Sequence, residues 1–216
     1  MKRAVGNTSA HRLAAAALAL ALALALALAL ASALAFMSAA AAGAAQAPAF
    51  RAGLFDPPRQ APDFSLQGTD GHELRMSHYR GKVVLLAFGY SSCTAVCPVT
   101  LATFAAALRE LGPLAAEVQV VYVTVDPERD VPARLQAFLA RFDATFIGAT
   151  GTAARLAGVR SDYGISAQKI PARDGYSYSH SSFTYLIDRA GRIRALMPYG
   201  HSPEDYVNDL RLLLKE

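Results

Sequence analysis

The chain has 216 residues, of which 53% are apolar, and a formal net charge of +4. That length accommodates a leader segment and one domain of ordinary size. Three of the 21 basic residues, Lys2, Arg3 and Arg12, lie in a first segment of 47 residues without acids, so the rest carries 18 basic and 17 acidic side chains. A near-neutral domain with scattered basic residues excludes nucleic acid as the expected partner.

An apolar segment without charge, residues 13–45, follows the basic start of the chain. Its Leu and Ala residues are strong helix formers, and it exceeds the roughly 20 apolar residues that span a bilayer. Its small residues at 39–47 also suit signal cleavage. Residues 1–47 are therefore predicted to be either an uncleaved membrane anchor or a cleaved signal peptide. In both cases the domain lies on the periplasmic side of the bacterial cytoplasmic membrane, tethered or secreted.

A linker is predicted over residues 48–60, which are rich in proline and lack periodicity, and a single domain over 61–216. The predicted elements are, in chain order, a short strand and hairpin turn at 62–71, a strand at 83–89, a helix at 99–111, a strand at 118–125, a helix from 131 to 142, a short edge strand at 145–148, a helix from 150 to about 159, a loop at 161–179, a strand at 182–188, a turn at 189–191, a strand at 192–197 and a helix from 203 to 214. This order predicts an α/β sandwich with a mixed sheet.

The two cysteines of the chain, Cys93 and Cys97, lie where the strand at 83–89 gives way to the helix, and Pro98 suits a first helical turn. Helix N-termini carry unpaired N–H groups and a partial positive charge, which favour thiolate over thiol. A thiolate is both a nucleophile and a soft metal ligand. A structural disulfide is the alternative, although a bridge that closes so small a loop restrains the unfolded chain little.

A histidine close to the cysteines would strengthen the case for a metal site. His180 precedes the strand at 182–188, whereas His201, beside the last helix, is predicted to lie at the surface. His72 and His78 are predicted to be surface residues as well. Asp126 and Asp130 follow the strand at 118–125, where Asp130 either caps the next helix or just precedes it, and both could instead support the site or dock a partner.

Three segments of the chain resemble the Sco/SenC family of thioredoxin-like copper proteins. They are residues 81–98, GKVVLLAFGYSSCTAVCP, residues 125–130, VDPERD, and residues 180–188, HSSFTYLID. The similarity spans residues 63–214 in the right order. It implies a thioredoxin-like fold, in which a central mixed β-sheet is flanked by helices and preceded by an N-terminal hydrophobic segment.

The resemblance also implies a metal site and a function. In that family two cysteines and a histidine bind one copper ion, and the proteins help to assemble the binuclear copper site of cytochrome c oxidase subunit II. The matching positions are Cys93, Cys97 and His180. Two thiolates and an imidazole suit Cu(I), a weaker fourth ligand would admit Cu(II), and zinc would normally take four ligands.

The expected function is therefore a copper metallochaperone that serves cytochrome c oxidase subunit II or another copper-receiving protein, with a thiol reductant as a further partner of the cysteine pair. The alternative is a thiol–disulfide oxidoreductase in which Cys93 and Cys97 are redox-active and reduce the cysteines of the copper-receiving partner. A peroxidase that resembles peroxiredoxins would need neither His180 nor this spacing.

Thr94 and Ala95 replace the Pro and Asp that usually follow the first cysteine in the family, and Ser179 replaces the Asp before the histidine. Both differences remove a carboxylate, which favours thiolate and suits either function.

The strands at 83–89 and 182–188 are expected to be antiparallel neighbours, as the family fold implies. The end of the first strand would then meet the start of the second at one edge of the sheet. That arrangement would bring His180 to the cysteines.

Overall fold

The computed structural model describes residues 18, 20, 22–28, 30, 49–173 and 175–216. The described residues among the first 47 are helical. The prediction of a membrane anchor or a cleaved signal peptide falls mostly on residues outside the described ones. Pro48–Glu216 forms one compact unit.

A mixed sheet of eight strands forms the centre of this unit, in the order β1-β10-β9-β4-β5-β6-β2-β3. The ten strands of the unit are β1 (Gly53–Gln60), β2 (Ser65–Gly68), β3 (Glu73–Arg75), β4 (Val83–Gly89), β5 (Val118–Thr124), β6 (Ile147–Thr150), β7 (Ala167–Ala172), β8 (Gly175–His180), β9 (Phe183–Ile187) and β10 (Arg192–Pro198). β4, β5 and β6 are parallel, and the other neighbours in the sheet are antiparallel. The mixed α/β sheet predicted from the sequence is confirmed.

Four α-helices and two 3₁₀ turns complete the unit. The helices are α1 (Val96–Leu111), α2 (Pro132–Leu139), α3 (Ala153–Asp162) and α4 (Pro203–Leu214), and the 3₁₀ turns are Met76–Tyr79 and Gly112–Glu117. By length and composition, the helical stretch Val96–Glu117 could cross a membrane, and it alone passes that test among the described residues. Its α1 part carries seven core residues and contacts α4, as the core helix of a globular domain does.

The two central strands decide where the cysteines lie. Every residue of β4 and of β5 is buried, as their apolar composition predicts for parallel strands covered on both faces. On its other side β4 pairs with β9 in antiparallel register, which confirms the predicted neighbours. The chain therefore leaves β4 for α1 at the same edge where β9 begins.

The predicted linker over 48–60 is wrong for its second half, because Gly53–Gln60 is strand β1 and pairs with β10. Prolines are tolerated there because β1 is an edge strand. The chain before β1 is also fixed: the fully buried carboxylate of Asp209 accepts hydrogen bonds from the backbone N–H groups of Arg51 (2.7 Å) and Ala52 (2.9 Å). The compact unit thus includes residues that composition alone assigns to a linker.

Two further predictions need correction. The loop predicted over 161–179 contains the hairpin of β7 and β8, which forms a sheet of its own. The predicted edge strand at 145–148 corresponds to β6, which lies inside the sheet between β5 and β2. β6 has only four residues, and its neighbour β2 comes from a distant part of the chain, so the local sequence does not reveal that β6 is an inner strand.

Candidate metal centre

The two cysteines lie at the start of α1. Cys93 follows β4 in a turn, where its N–H donates to the carbonyl of Tyr90 (3.2 Å). α1 begins at Val96, earlier than the sequence predicts, so Cys97 lies in its first turn. Cys97 is buried, Cys93 is partly exposed, and both are free thiols. An approaching ion or partner therefore meets Cys93 first.

The two thiols differ strongly in acidity. The hydrogen bond from the Cys97 thiol, helped by the N–H groups of Cys97 and Ala95 and by the nearby His180, lowers the pKa of Cys93 from 9.0 to about 5, although partial burial opposes this. The same hydrogen bond, together with burial, raises the pKa of Cys97 far above its ordinary value. No side chain caps the N-terminus of α1, so the Cys93 sulfur accepts from the N–H groups left free there. The result is a partly exposed thiolate beside a buried thiol.

His180, the last residue of β8, reaches this pair across the fold. Its Nε2 lies 3.7 Å from the sulfur of Cys97, although 83 positions separate them in the chain. Its Nδ1 lies 2.8 Å from the carbonyl oxygen of Ser181. A carbonyl only accepts hydrogen bonds, so Nδ1 carries the proton of the neutral ring and Nε2 directs its lone pair towards Cys97. That is the tautomer a metal ligand needs, with its second nitrogen oriented by a backbone acceptor.

The space behind Cys97 is shaped by Gly89 and Tyr122. A Cβ on Gly89 would overlap the hydroxyl of Tyr122 and stand 2.8 Å from the sulfur of Cys97. The Tyr122 hydroxyl is buried and has no hydrogen-bond partner of ordinary geometry in the described part of the chain. Tyr122 and Cys97 line a cavity of about 100 Å³, which His180 and Phe183 border from β8 and β9. A sulfur that loses its proton here would find a buried O–H donor beside it.

Asp130 stabilises the turn that carries Cys93. This fully buried carboxylate accepts hydrogen bonds from the N–H of Ser91 (2.9 Å), from the Ser91 hydroxyl and from the hydroxyl of Thr124 (2.6 Å). Arg134 adds hydrogen bonds to the Ser91 hydroxyl (3.1 Å) and to that of Ser92 (2.9 Å). Asp130 does not cap α2, because Val131 occupies the capping position. The carboxylate instead ties the cysteine turn to the end of β5.

Three other histidines lie in the part of the chain that the structure describes. His72 and His78 are exposed. His201 is partly exposed and bonds Asp205 through Nδ1 (3.1 Å), yet it also borders the cavity beside Cys97. The position of His201 beside this cavity was not predicted from the sequence.

The structure brings Cys97 and His180 into contact and places Cys93 beside Cys97. Within residues 49–173 and 175–216, no group of three or more His, Cys, Asp and Glu side chains stands in a closed arrangement able to hold a metal ion. The donor set nevertheless fits a soft ion, because it offers a thiolate, a second sulfur and an imidazole with its lone pair directed inwards.

A family model described as SCO1/SenC matches residues 55–215. The chain belongs to the SCO1/SenC family. The match covers nearly the whole compact unit, including both cysteines and His180.

Similar proteins agree with this assignment. An SCO2-like protein of Rickettsia felis is 30% identical over 152 residues, which cover 69% of this chain and 74% of the relative. The structure of ScoI from Bradyrhizobium japonicum, solved with copper bound, is 34% identical with a TM-score of 0.67, and the match covers 71% of this chain and 99% of that one. The metal-free Sco1 of Thermus thermophilus is 32% identical with a TM-score of 0.67, covering 76% and 97%. The fold is thus the thioredoxin-like fold that the sequence implies.

Proposed function

We propose that the chain is a copper-binding metallochaperone that delivers copper to the binuclear copper site of cytochrome c oxidase, or helps to assemble that site. Its ligands are Cys93, Cys97 and His180. The observation that carries the proposal is the 3.7 Å contact between the Cys97 sulfur and Nε2 of His180. A structural disulfide or a simple dithiol needs no imidazole at that place, whereas a three-ligand copper site does.

Each ligand contributes differently to taking up and releasing copper. The partly exposed Cys93 thiolate is the point of entry, because it is charged at neutral pH and more accessible than Cys97. Cys97 must give up its proton to bind, and the neighbouring Tyr122 hydroxyl can then donate to the new thiolate. His180 completes the set through Nε2 without losing a proton. A site with one accessible and one buried sulfur suits stepwise exchange of the ion with a partner's ligands.

We further propose the compartment and the domain boundaries. Residues 1–47 export the chain as an anchor or a signal peptide, and the copper-binding domain, 61–216 together with β1, works on the periplasmic side of the bacterial cytoplasmic membrane. The partners are cytochrome c oxidase subunit II or another copper-receiving protein, and a thiol reductant that keeps the cysteine pair reduced. In an oxidising compartment two adjacent thiols otherwise form a disulfide.

The second candidate function is thiol–disulfide exchange, in which Cys93 and Cys97 reduce the cysteines of the copper-receiving partner. One observation favours it: the acidic, accessible Cys93 next to a buried thiol is the arrangement of an attacking and a resolving cysteine. In that reaction the Cys93 thiolate attacks a partner disulfide, and the Cys97 thiolate then displaces the reduced partner. The protein ends with the Cys93–Cys97 disulfide, and the partner gains two electrons.

Replacing His180 separates the two functions, because both of them need the cysteines. We expect His180→Ala to lose oxidase assembly in cells while it still reduces a disulfide in vitro. His201→Ala, a histidine at the rim of the same cavity, is the matched control and should retain both. Full oxidase assembly with His180→Ala would contradict copper delivery and favour the reductase.

A further inference from the structure

His180 sits on a hairpin that is not part of the main sheet. β7 and β8 pair only with each other in the part of the chain that the structure describes. A two-stranded hairpin is marginally stable by itself in water. The position of His180 must therefore depend on contacts that hold the hairpin against the body of the domain.

One set of contacts lies at the base of the hairpin, next to His180. The N–H of Ser181 donates to the carbonyl of Ser166 (3.0 Å), and the N–H of Ser166 donates to the Ser181 hydroxyl (3.1 Å). These bonds close the hairpin on itself. These bonds at the base do not determine the orientation of the β7–β8 hairpin relative to the cysteines.

A second set holds the outer half of the hairpin, and Arg129 is at its centre. The guanidinium carbon of Arg129 lies 3.9 Å from the centre of the Tyr176 ring, and Nη1 donates to the Tyr176 carbonyl (3.0 Å). Arg129 is itself fixed by an ion pair with Asp126, a fully buried carboxylate at the end of β5. The Tyr176 hydroxyl donates to the same carboxylate (3.0 Å). Arg129 and Tyr176 thus join β8 to the core through one buried acid.

Salt-bridging side chains extend this anchor at the surface. Lys169 on β7 lies 3.7 Å from the centre of the Tyr176 ring and pairs with Glu128 (2.7 Å). Because both residues are largely exposed, their pair contributes little compared with Arg129. The planar guanidinium, which stacks and donates at once, is the specific element.

The anchor is connected to His180 through Tyr90. The Tyr90 ring lies 5.7 Å from the Arg129 guanidinium carbon, 5.7 Å from the ring of Tyr178 and 5.9 Å from the ring of His180. The Tyr90 hydroxyl also accepts a hydrogen bond from the N–H of Tyr178 (3.3 Å). Tyr90 directly follows β4 and starts the cysteine turn. One aromatic ring therefore touches the arginine, the hairpin and the histidine.

We propose that Arg129 is a positioning residue for His180: by clamping Tyr176 to Asp126 and packing on Tyr90, it holds the β7–β8 hairpin at the angle that places the imidazole against Cys97. The proposal rests on the proposed function in that His180 is taken as a copper ligand. Arg129 itself touches neither the cysteines nor the ion. Arg129 affects copper affinity only through the position of His180.

The test uses the purified full chain and its Arg129→Met variant, with Arg109→Met as the control. Arg109 is exposed on α1, so its replacement removes the same charge without touching the hairpin. In metal-free protein, hydrogen–deuterium exchange of the peptide 167–180 should be faster in Arg129→Met and unchanged in Arg109→Met. Unchanged exchange in Arg129→Met would overturn the anchoring role.

The second readout is Cu(I) affinity, measured by competition with a chromophoric chelator. Arg129→Met should weaken binding by about 10-fold to 100-fold, the usual effect of losing a group that orients a metal ligand. In a His180→Ala background the same replacement should cause no further loss, because the histidine through which it acts is gone. A further loss of the same size in that background would show a general effect on the fold and overturn the positioning role.

Two additional outcomes keep the tests separate. If Arg129→Met does not fold, Tyr176→Phe retains the ring but removes the hydrogen bonds of its hydroxyl to Asp126 and Glu128, and it should change both readouts in the same direction. An unchanged Tyr176→Phe would then count against the proposal. If His180→Ala binds Cu(I) as tightly as the parent chain, His180 is not a copper ligand and the proposed function fails. The role of Arg129 in positioning a copper ligand then fails as well, even if hydrogen–deuterium exchange shows that Arg129 holds the hairpin.

Discussion

Gly89 leaves room for Tyr122. The hydroxyl of Tyr122 and the sulfur of Cys97 both pack against the face of Gly89 where another residue would carry its Cβ. Because Gly89 is the last residue of β4 and Tyr122 lies in β5, two neighbouring buried strands shape the space behind the cysteine. The glycine is required here by packing.

We expect Gly89→Ala to destabilise the domain by about 1–3 kcal/mol, the usual effect of overpacking a dense core. The added methyl group would also push Cys97 away from His180 and weaken copper binding. Urea unfolding followed by circular dichroism measures the first effect. Gly89→Ala combined with Tyr122→Phe should recover part of the stability, because the hydroxyl that the methyl overlaps is removed.

The matched control is Gly158→Ala in the interior of α3, where an added Cβ meets nothing within 4 Å. There alanine should stabilise the helix by about 0.5–1 kcal/mol, because glycine loses more conformational entropy on folding. If Gly89→Ala behaved like this control, the tight packing around Cys97 would be disproved.

The acidity of Cys93 predicts selective alkylation of the reduced, metal-free protein. With a pKa of about 5, Cys93 is a thiolate at neutral pH and should react with iodoacetamide at a rate that rises around pH 5. Cys97, buried and with a raised pKa, should stay unmodified at neutral pH. Peptide mass spectrometry distinguishes the two sites. A midpoint near 9 for Cys93 would show that the hydrogen bonds to its sulfur are absent in solution.

The same shift makes stability depend on pH. The pKa of Cys93 is lower in the folded chain than its ordinary value of 9.0, so between about 5 and 9.0 the folded state binds fewer protons than the unfolded state. Cys93 therefore contributes stability that is fully present above 9.0 and is lost as the pH falls towards 5. The raised pKa of Cys97 acts in the opposite direction at alkaline pH. Urea unfolding between pH 5 and 8 should show a rising free energy of unfolding whose slope is smaller in Cys93→Ser.

Asp130 should be essential to the cysteine turn. Asp130→Ala would leave the partly buried N–H of Ser91 and the buried hydroxyl of Thr124 without their acceptor, which we expect to destabilise the domain by about 1–3 kcal/mol. Asp162→Ala, an exposed acid at the end of α3, is the control and should change stability by less than about 0.5 kcal/mol. Equal free energies of unfolding for the two variants would mean that Asp130 does not hold the turn.

Much of the fold could be predicted from the sequence, because the patterns that indicate its central strands and helix starts are local. β4 and β5 are continuous apolar strands bounded by turn residues, and the start of α4 shows its capping serine, Ser202, followed by Pro203. The antiparallel pairing of β4 with β9 came from the family resemblance, and the structure confirms it.

The parts that the sequence did not predict depend on distant partners. β1 is a strand only because β10 pairs with it, and the β7–β8 hairpin has a polar sequence that looks like a loop. The sequence also does not predict the contacts of Arg129, Tyr176 and Tyr122, because each of these residues contacts an element that is distant in the chain. A buried acid such as Asp130 could have been suspected from the VDPERD segment, but its three donors could not.

The central claim is that Cys93, Cys97 and His180 together bind one copper ion. X-ray absorption at the copper edge of the Cu(I)-loaded chain tests it most directly, because it counts sulfur and nitrogen neighbours. We predict two sulfurs and one imidazole nitrogen per copper, loss of the nitrogen in His180→Ala, and an unchanged spectrum in His201→Ala. A spectrum that keeps its imidazole contribution in His180→Ala would contradict the site.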